Sequence, residues 1–138
     1  MPVIIKKSGS NDRLTLRISS KDKFSLELLA QKKGLTLSAL FLQLIEKPLK
    51  AELTITPAGE KNSVYIPDAA YDPLAPDRLV KLAMIAPELL TESEQVIWKV
   101  IKEDMDYWKN ENPVLKPIRD SWLVIQNEAK NLLEQHSN

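Results

Sequence analysis

The feature that most constrains the fold is a strict alternation of polar and apolar residues from Arg13 to Ile18, RLTLRI. This period of two is typical of a half-buried β-strand. A strand of six residues cannot form a sheet alone, so it needs a partner. The candidate partners are the proline-rich segment beyond residue 50 and the same strand of a second chain.

Two helices are predicted directly after this strand. Ser19 or Ser20 can cap the first, and Gly34 ends it after two lysines. Thr36 or Ser38 can cap the second, which is apolar on almost every side and is therefore expected to be buried in an interface. Pro48 is expected to limit the length of this second helix. The apolar residues with helical spacing are Phe24, Leu26, Leu28, Leu29 and Ala30 in the first helix and Leu37, Leu40, Phe41, Leu42, Leu44 and Ile45 in the second.

The charges are divided unequally along a chain whose formal net charge is zero. Residues 1–50 hold ten basic and four acidic side chains, a net charge of +6, whereas residues 51–138 hold nine and fifteen, a net charge of −6. This division predicts an N-terminal part that binds anions and a second part that avoids polyanions. Residues 1–12 are interpreted as a basic arm carrying Lys6 and Lys7.

Several classes of site are excluded by residue types that are absent or rare. The chain has no cysteine and one histidine, His136, so thiolate chemistry, disulfides and histidine pairs within one chain are excluded. Glycine-rich nucleotide loops are absent as well. We expect no enzymatic activity, no cofactor and no metal site. Because no apolar stretch approaches ~20 residues and MPVIIKK lacks a signal-peptide core, we expect a soluble cytoplasmic protein without a membrane partner.

The composition of the chain changes after residue 50 and again after residue 76. Residues 51–76 contain four prolines and are predicted to be a linker or a short β-hairpin. Residues 77–138 are predicted to form a small acidic helical domain that contains all three tryptophans. There Asp77 is expected to cap one helix, TESE at residues 91–94 to form a capping box for the next, and a final helix to follow Pro117.

Two copies of the N-terminal strand, paired antiparallel, would place their apolar faces on a shared helical core. Their six outward side chains, from Arg13, Thr15 and Arg17 of each copy, would then form a ribbon that fits the major groove of B-DNA. Arginine can contact guanine through two hydrogen bonds, and threonine offers a hydroxyl and a methyl group. The outward face therefore has the chemistry for reading bases.

Residues 12–47 resemble the ribbon-helix-helix DNA-binding proteins of the Arc and MetJ repressor type. The resemblance runs without a gap through the strand, the first helix, the Gly34 turn and the second helix. It implies a mainly α fold with an N-terminal ribbon-helix-helix domain, one strand and two helices in an intertwined dimer, over residues 1–50. The proline-rich segment 51–76 and the helical domain 77–138 would follow it.

The resemblance also implies roles for individual residues. The expected base-reading residues are Arg13, Thr15 and Arg17. The expected phosphate-binding residues are Thr36, Leu37 and Ser38 at the start of the second helix, where free N–H groups favour anions, together with Lys21, Lys23, Lys6 and Lys7. The expected dimer core consists of Leu14, Leu16, Ile18, Leu40, Phe41, Leu44 and Ile45.

Three functions remain open at this point. The first is a homodimeric, sequence-specific DNA-binding protein, a bacterial, plasmid or phage transcriptional repressor whose partners are double-stranded DNA, a second copy or a higher oligomer, and a protein bound through residues 77–138. The second is a plasmid relaxosome or partition accessory protein, or an antitoxin, that uses the same DNA-binding fold. The third is a protein-interaction adaptor that does not bind DNA.

Overall fold

The chain is mainly helical, as predicted, and divides into two compact units. The computed structural model describes residues 2–7 and 10–136, with the backbone alone for residues 2–7, 10 and 11. Unit 1 is Met1–Glu52 and unit 2 is Leu53–Asn138. Among the helices described, none combines the length and the apolar character needed to cross a membrane.

Unit 1 consists of a β-hairpin followed by two helices. Its elements are β1 (Pro2–Lys7), β2 (Ser10–Thr15), α1 (Ser20–Lys33) and α2 (Leu37–Glu52). The hairpin is antiparallel, and its register places Val3 opposite Leu14 and Ile4 opposite Arg13. The Lys33 ammonium donates to Gln43 Oε1 at 3.3 Å and connects α1 to α2.

The hairpin corrects two predictions about the N-terminal residues. Residues 2–7 form a paired strand rather than the expected basic arm. The following strand covers residues 10–15 rather than 13–18. The physical reason is that the apolar run Val3–Ile5 can pair locally, at a small cost in chain entropy, across the short connection at residues 8 and 9. A sheet with one strand per chain therefore does not describe unit 1.

The predicted helix boundaries of α1 and the cap of α2 are confirmed. Ser19 Oγ accepts a hydrogen bond from the Asp22 N–H at 3.1 Å and so caps α1. Gly34 ends α1 in the left-handed conformation, with φ of 67°, which only glycine adopts without strain. Thr36 Oγ1 accepts from the Ala39 N–H at 3.1 Å and caps α2.

Pro48 does not end the second helix, contrary to expectation. α2 continues through it to Glu52, with Pro48 inside the helix. Proline removes one hydrogen bond, to the carbonyl four residues earlier, which is that of Leu44. Both residues are exposed, so water can replace the missing donor.

Unit 2 contains five helices and two small hairpins within the described residues. Its elements are β3 (Thr54–Ile55), β4 (Val64–Tyr65), α3 (Ile66–Ala70), α4 (Ala75–Ile85), α5 (Glu92–Glu103), β5 (Trp108–Lys109), β6 (Asn112–Pro113), α6 (Leu115–Asp120) and α7 (Trp122–His136). The antiparallel pair β3–β4 lies within the stretch 51–76. Most of that stretch belongs to unit 2, because Ile66 and Ala70 of α3 pack with Ala86 in a buried cluster.

The main core of unit 2 is formed by α4, α5, α6 and α7. Ile101, Ile118 and Ile125 are fully buried in it. Trp98 is buried too, and the centroid of its ring lies 5.8 Å from the centroid of the Trp108 ring. A core of this kind gives unit 2 its own hydrophobic stabilisation.

The capping box predicted at residues 91–94 is confirmed. Thr91 Oγ1 accepts from the Glu94 N–H at 3.2 Å, and Glu94 Oε1 accepts from the Thr91 N–H at 2.9 Å. These reciprocal bonds define where α5 begins.

Asp77 is a core ion-pair residue rather than the predicted helix cap. The residue is 4% exposed, and its carboxylate accepts from Arg119 Nε and Nη2, both at 2.7 Å. The N-cap position of α4 is occupied by Leu74, three residues earlier.

The final helix predicted from the sequence is two helices, α6 and α7, which are separated at Ser121.

A second ionic contact lies near the start of α4. Lys81 Nζ donates to Asp72 Oδ2 at 2.8 Å, and the Leu74 N–H donates to Asp72 Oδ1 at 2.9 Å. The hydrogen bond from Lys81, followed by that from Leu74, holds the pKa of Asp72 below its usual value.

We predict that Ile118→Ala lowers the free energy of unfolding of unit 2 by about 2–5 kcal/mol, because it leaves a cavity in a close-packed core. Urea titration followed by tryptophan fluorescence measures this change, since all three tryptophans belong to unit 2. Leu123→Ala, at an exposed position of α7, is the control and should change stability by no more than about 0.5 kcal/mol. Equal effects of the two substitutions would contradict the assigned core.

We predict that the stabilisation provided by Asp72 is present above about pH 4 and is lost as the pH falls through its lowered folded-state pKa. Asp72→Asn should therefore lose less stability than the unchanged protein when the pH is lowered from 6 to 3. Urea midpoints at both pH values test this, with Asp120→Asn of the exposed Lys116–Asp120 pair as the control. Identical pH profiles for Asp72→Asn and the unchanged protein would contradict it.

Candidate nucleic-acid interface

The three residues expected to read bases are all exposed, and two of them share a strand. Arg13 and Thr15 lie in β2, two positions apart, which places them on the same face. Arg17 lies in the irregular segment between β2 and α1. The alternation of the sequence therefore corresponds to a strand for two of the three residues and to an irregular segment for the third.

The expected dimer core is only partly buried within one chain. Leu40 of α2 is completely buried, with 0% exposure. The half-buried members are Leu16, Phe41 and Ile45, and the exposed members are Leu14, Ile18 and Leu44. A single chain thus leaves much of this apolar set in contact with water.

Helix α1 adds exposed apolar side chains that the expected dimer core did not include. Phe24 is 60% exposed and Leu28 is 55% exposed, and their spacing of four places them on one face. Leu42 and Leu49 of α2 are exposed as well. The spacing was visible in the sequence, but it could not show which face of α1 a single chain leaves uncovered.

The start of α2 has the backbone geometry expected of a phosphate site. Leu37 and Ser38 are its first two residues, and the N–H groups of a helix's first turn have no acceptor within the helix. Thr36 Oγ1 already accepts from the Ala39 N–H. The positive end of the helix dipole adds to the attraction for an anion at this position.

The lysines expected to contact phosphates are distributed over α1 and β1. Lys21 and Lys23 are exposed in the first turn of α1, and Lys23 Nζ lies 3.8 Å from Glu27 Oε1. An exposed pair at this distance is weak and leaves the lysine available to a stronger anion. Lys6 and Lys7 belong to β1, but their side chains lie outside the part of the structure that is described.

Unit 2 carries an apolar depression of its own, about 400 Å³ in volume. Met105, which is 79% exposed, and the Trp108 ring line it together with Lys102, Asn110 and Glu111. Trp108 Nε1 donates to the Ile101 carbonyl at 2.8 Å, which fixes the ring. Asn110 and Glu111 connect β5 to β6 with φ of 52° and 67°, a backbone that is costly for glutamate.

Unit 1 combines exposed positive charges with exposed apolar side chains. Exposed arginines and lysines, a helix start and uncovered leucines all belong to a unit of about 50 residues. Comparisons of the chain with protein-family models, with curated proteins and with solved structures found no match.

Proposed function

We propose that this chain is a homodimeric DNA-binding protein that reads the major groove through Arg13, Thr15 and Arg17. The observation that carries the proposal is the exposure of large apolar side chains on a basic unit whose described residues bury only Ala30 and Leu40 among the apolar ones. A polypeptide of about 50 residues is only marginally stable even with a complete core. A second copy would cover this surface and supply the missing core.

The surface to be covered is extensive. Among the described residues of unit 1, seven large apolar side chains are exposed: Leu14, Ile18, Phe24, Leu28, Leu42, Leu44 and Leu49. Complete burial of one such side chain contributes about 1.5–3 kcal/mol relative to leaving it exposed. Burial of several of them against a second copy therefore provides a strong drive for association.

The edge of β2 that faces away from β1 is compatible with such a dimer. β2 pairs with β1 along one edge and with no other strand among the described residues. A second copy can add its own β2 antiparallel to the open edge, which brings the Arg13 and Thr15 residues of both chains onto one surface. This contact is the two-stranded ribbon of the proposed groove-reading element.

The charges support a nucleic acid as the ligand of that surface. Residues 1–50 carry a net charge of +6, which a dimer doubles, whereas residues 51–138 carry −6. DNA phosphates would attract the first set and repel the second. The acidic unit 2 is therefore assigned to a role other than contacting the duplex.

The proposal covers several biological roles, of which transcriptional repression is the one we favour. An antitoxin with a short C-terminal segment that folds on its toxin is disfavoured, because unit 2 has fully buried residues and a capped helix of its own. A relaxosome or partition accessory protein would use the same DNA-binding step.

We predict that the protein is a dimer in sedimentation equilibrium, and that Phe24→Lys and Leu44→Lys each raise the dimer dissociation constant at least tenfold. Each substitution would place a charge in an apolar interface. Leu123→Lys, at an exposed apolar position of unit 2, is the matched control and should leave the dimer intact. A monomer at micromolar concentration would contradict the proposal.

We predict that Arg13→Ala and Arg17→Ala each weaken binding to the preferred DNA site by about 1–3 kcal/mol and broaden base preference. The site would first be selected from a random duplex pool, and affinities would then be measured at several salt concentrations. Lys21→Ala should instead weaken binding to all sequences and reduce the salt slope by about 0.9 per lost phosphate contact.

The control for these substitutions is Lys130→Ala, which removes an exposed positive charge from unit 2. It should leave both affinity and base preference unchanged. Undiminished binding by both arginine variants would refute the ribbon assignment. Recovery of no DNA from the pool at low salt would favour the adaptor without DNA binding.

A further inference from the structure

With β1 paired to β2, the sheet of the proposed dimer would be wider than the DNA groove that it is proposed to enter. In a dimer joined through the open edges of β2, the sheet would have four strands in the order β1–β2–β2–β1. Strands lie about 4.8 Å apart, so the axes of the outer strands would be about 14 Å apart. The major groove is about 12 Å wide and admits a ribbon of two strands.

We infer that β1 is an autoinhibitory strand, called the strap below. While it is paired with β2 it keeps β2 out of the major groove, and it separates from β2 when the protein binds duplex DNA. This inference rests on the proposed function. The register places β1 directly along the residues concerned, with Pro2 opposite Thr15 and Ile4 opposite Arg13. Only Arg17, of the three reading residues, lies beyond the paired segment.

The sequence of β1 suits both states of such a strap. Val3, Ile4 and Ile5 favour a strand, whereas Lys6 and Lys7 supply positive charge. In the closed state β1 satisfies the backbone groups along one edge of β2. Once released, the same segment becomes a basic arm that can follow the phosphates beside the groove.

The strap makes the apparent affinity for DNA proportional to the fraction of protein in the open state. The apparent dissociation constant equals the intrinsic one divided by the fraction of protein that is open. A modification of the protein, or a ligand, that stabilises the β1–β2 pair would therefore weaken DNA binding.

A reversible disulfide between β1 and β2 tests the inference. Ile5 and Asp12 are directly opposite in the register. Opposite residues of an antiparallel pair have Cα atoms about 4.5–5.5 Å apart, which is within the range of a disulfide. The chain has no cysteine, so Ile5→Cys combined with Asp12→Cys introduces the only two thiols in each chain.

The oxidised double variant should bind the selected DNA site at least tenfold more weakly than the same protein after reduction, and both forms should remain dimeric. Comparison of the two forms cancels the loss of the Asp12 charge. Equal affinity of the oxidised and reduced forms would overturn the inference while leaving the proposed function intact. Failure of the reduced form and of the unchanged protein to bind any duplex would overturn both.

A second variant tests the strap without a cross-link. Ile5→Pro weakens strand pairing but keeps Lys6 and Lys7. It should bind the selected site several-fold more tightly than the unchanged protein, because more of it is open. Binding that is unchanged or weaker would count against β1 as an inhibitory element.

Discussion

The stability of unit 1 is limited by one constraint, which is that its described residues bury very few apolar side chains. Of its described apolar side chains, Ala30 and Leu40 alone are buried, while Phe24 and Leu28 face solvent from one side of α1. The capped helices and the hairpin provide local order, but they do not replace a hydrophobic core. The proposed dimer follows from this deficit, since a second copy would cover the exposed apolar side chains.

Features of the fold that depend on neighbouring residues were predictable from the sequence. The Ser19 cap, the left-handed Gly34 and the Thr91–Glu94 capping box each involve contacts within a few residues, where chain geometry leaves few alternatives. The position of β1 was missed for another reason. The alternation at Arg13 to Ile18 favoured a partner in another chain, whereas the apolar run of residues 3–5 is close to it in the sequence and pairs with it within the same chain.

Features that depend on distant residues could not be predicted in the same way. Asp77 stands where a helix cap is expected, and only the tertiary structure brings Arg119 to it. Pro48 was expected to shorten α2, but a single lost hydrogen bond at an exposed position is compatible with a continuous helix. For the candidate site, the sequence identified residue types and their spacing, yet the uncovered face of α1 emerged only from burial in the folded chain.

The pairing of Asp77 with Arg119 also has a consequence for the order in which a newly made chain matures. The two residues are 42 positions apart, so Asp77 is synthesised well before its partner. Burial of a carboxylate without a compensating charge is costly, and we therefore expect α4 to complete its packing only after α6 is available. Unit 1 emerges earlier but, under the proposed assembly, waits for a second chain. Under the proposed assembly, each half of the protein completes its folding after a different late event, one within the chain and one between chains.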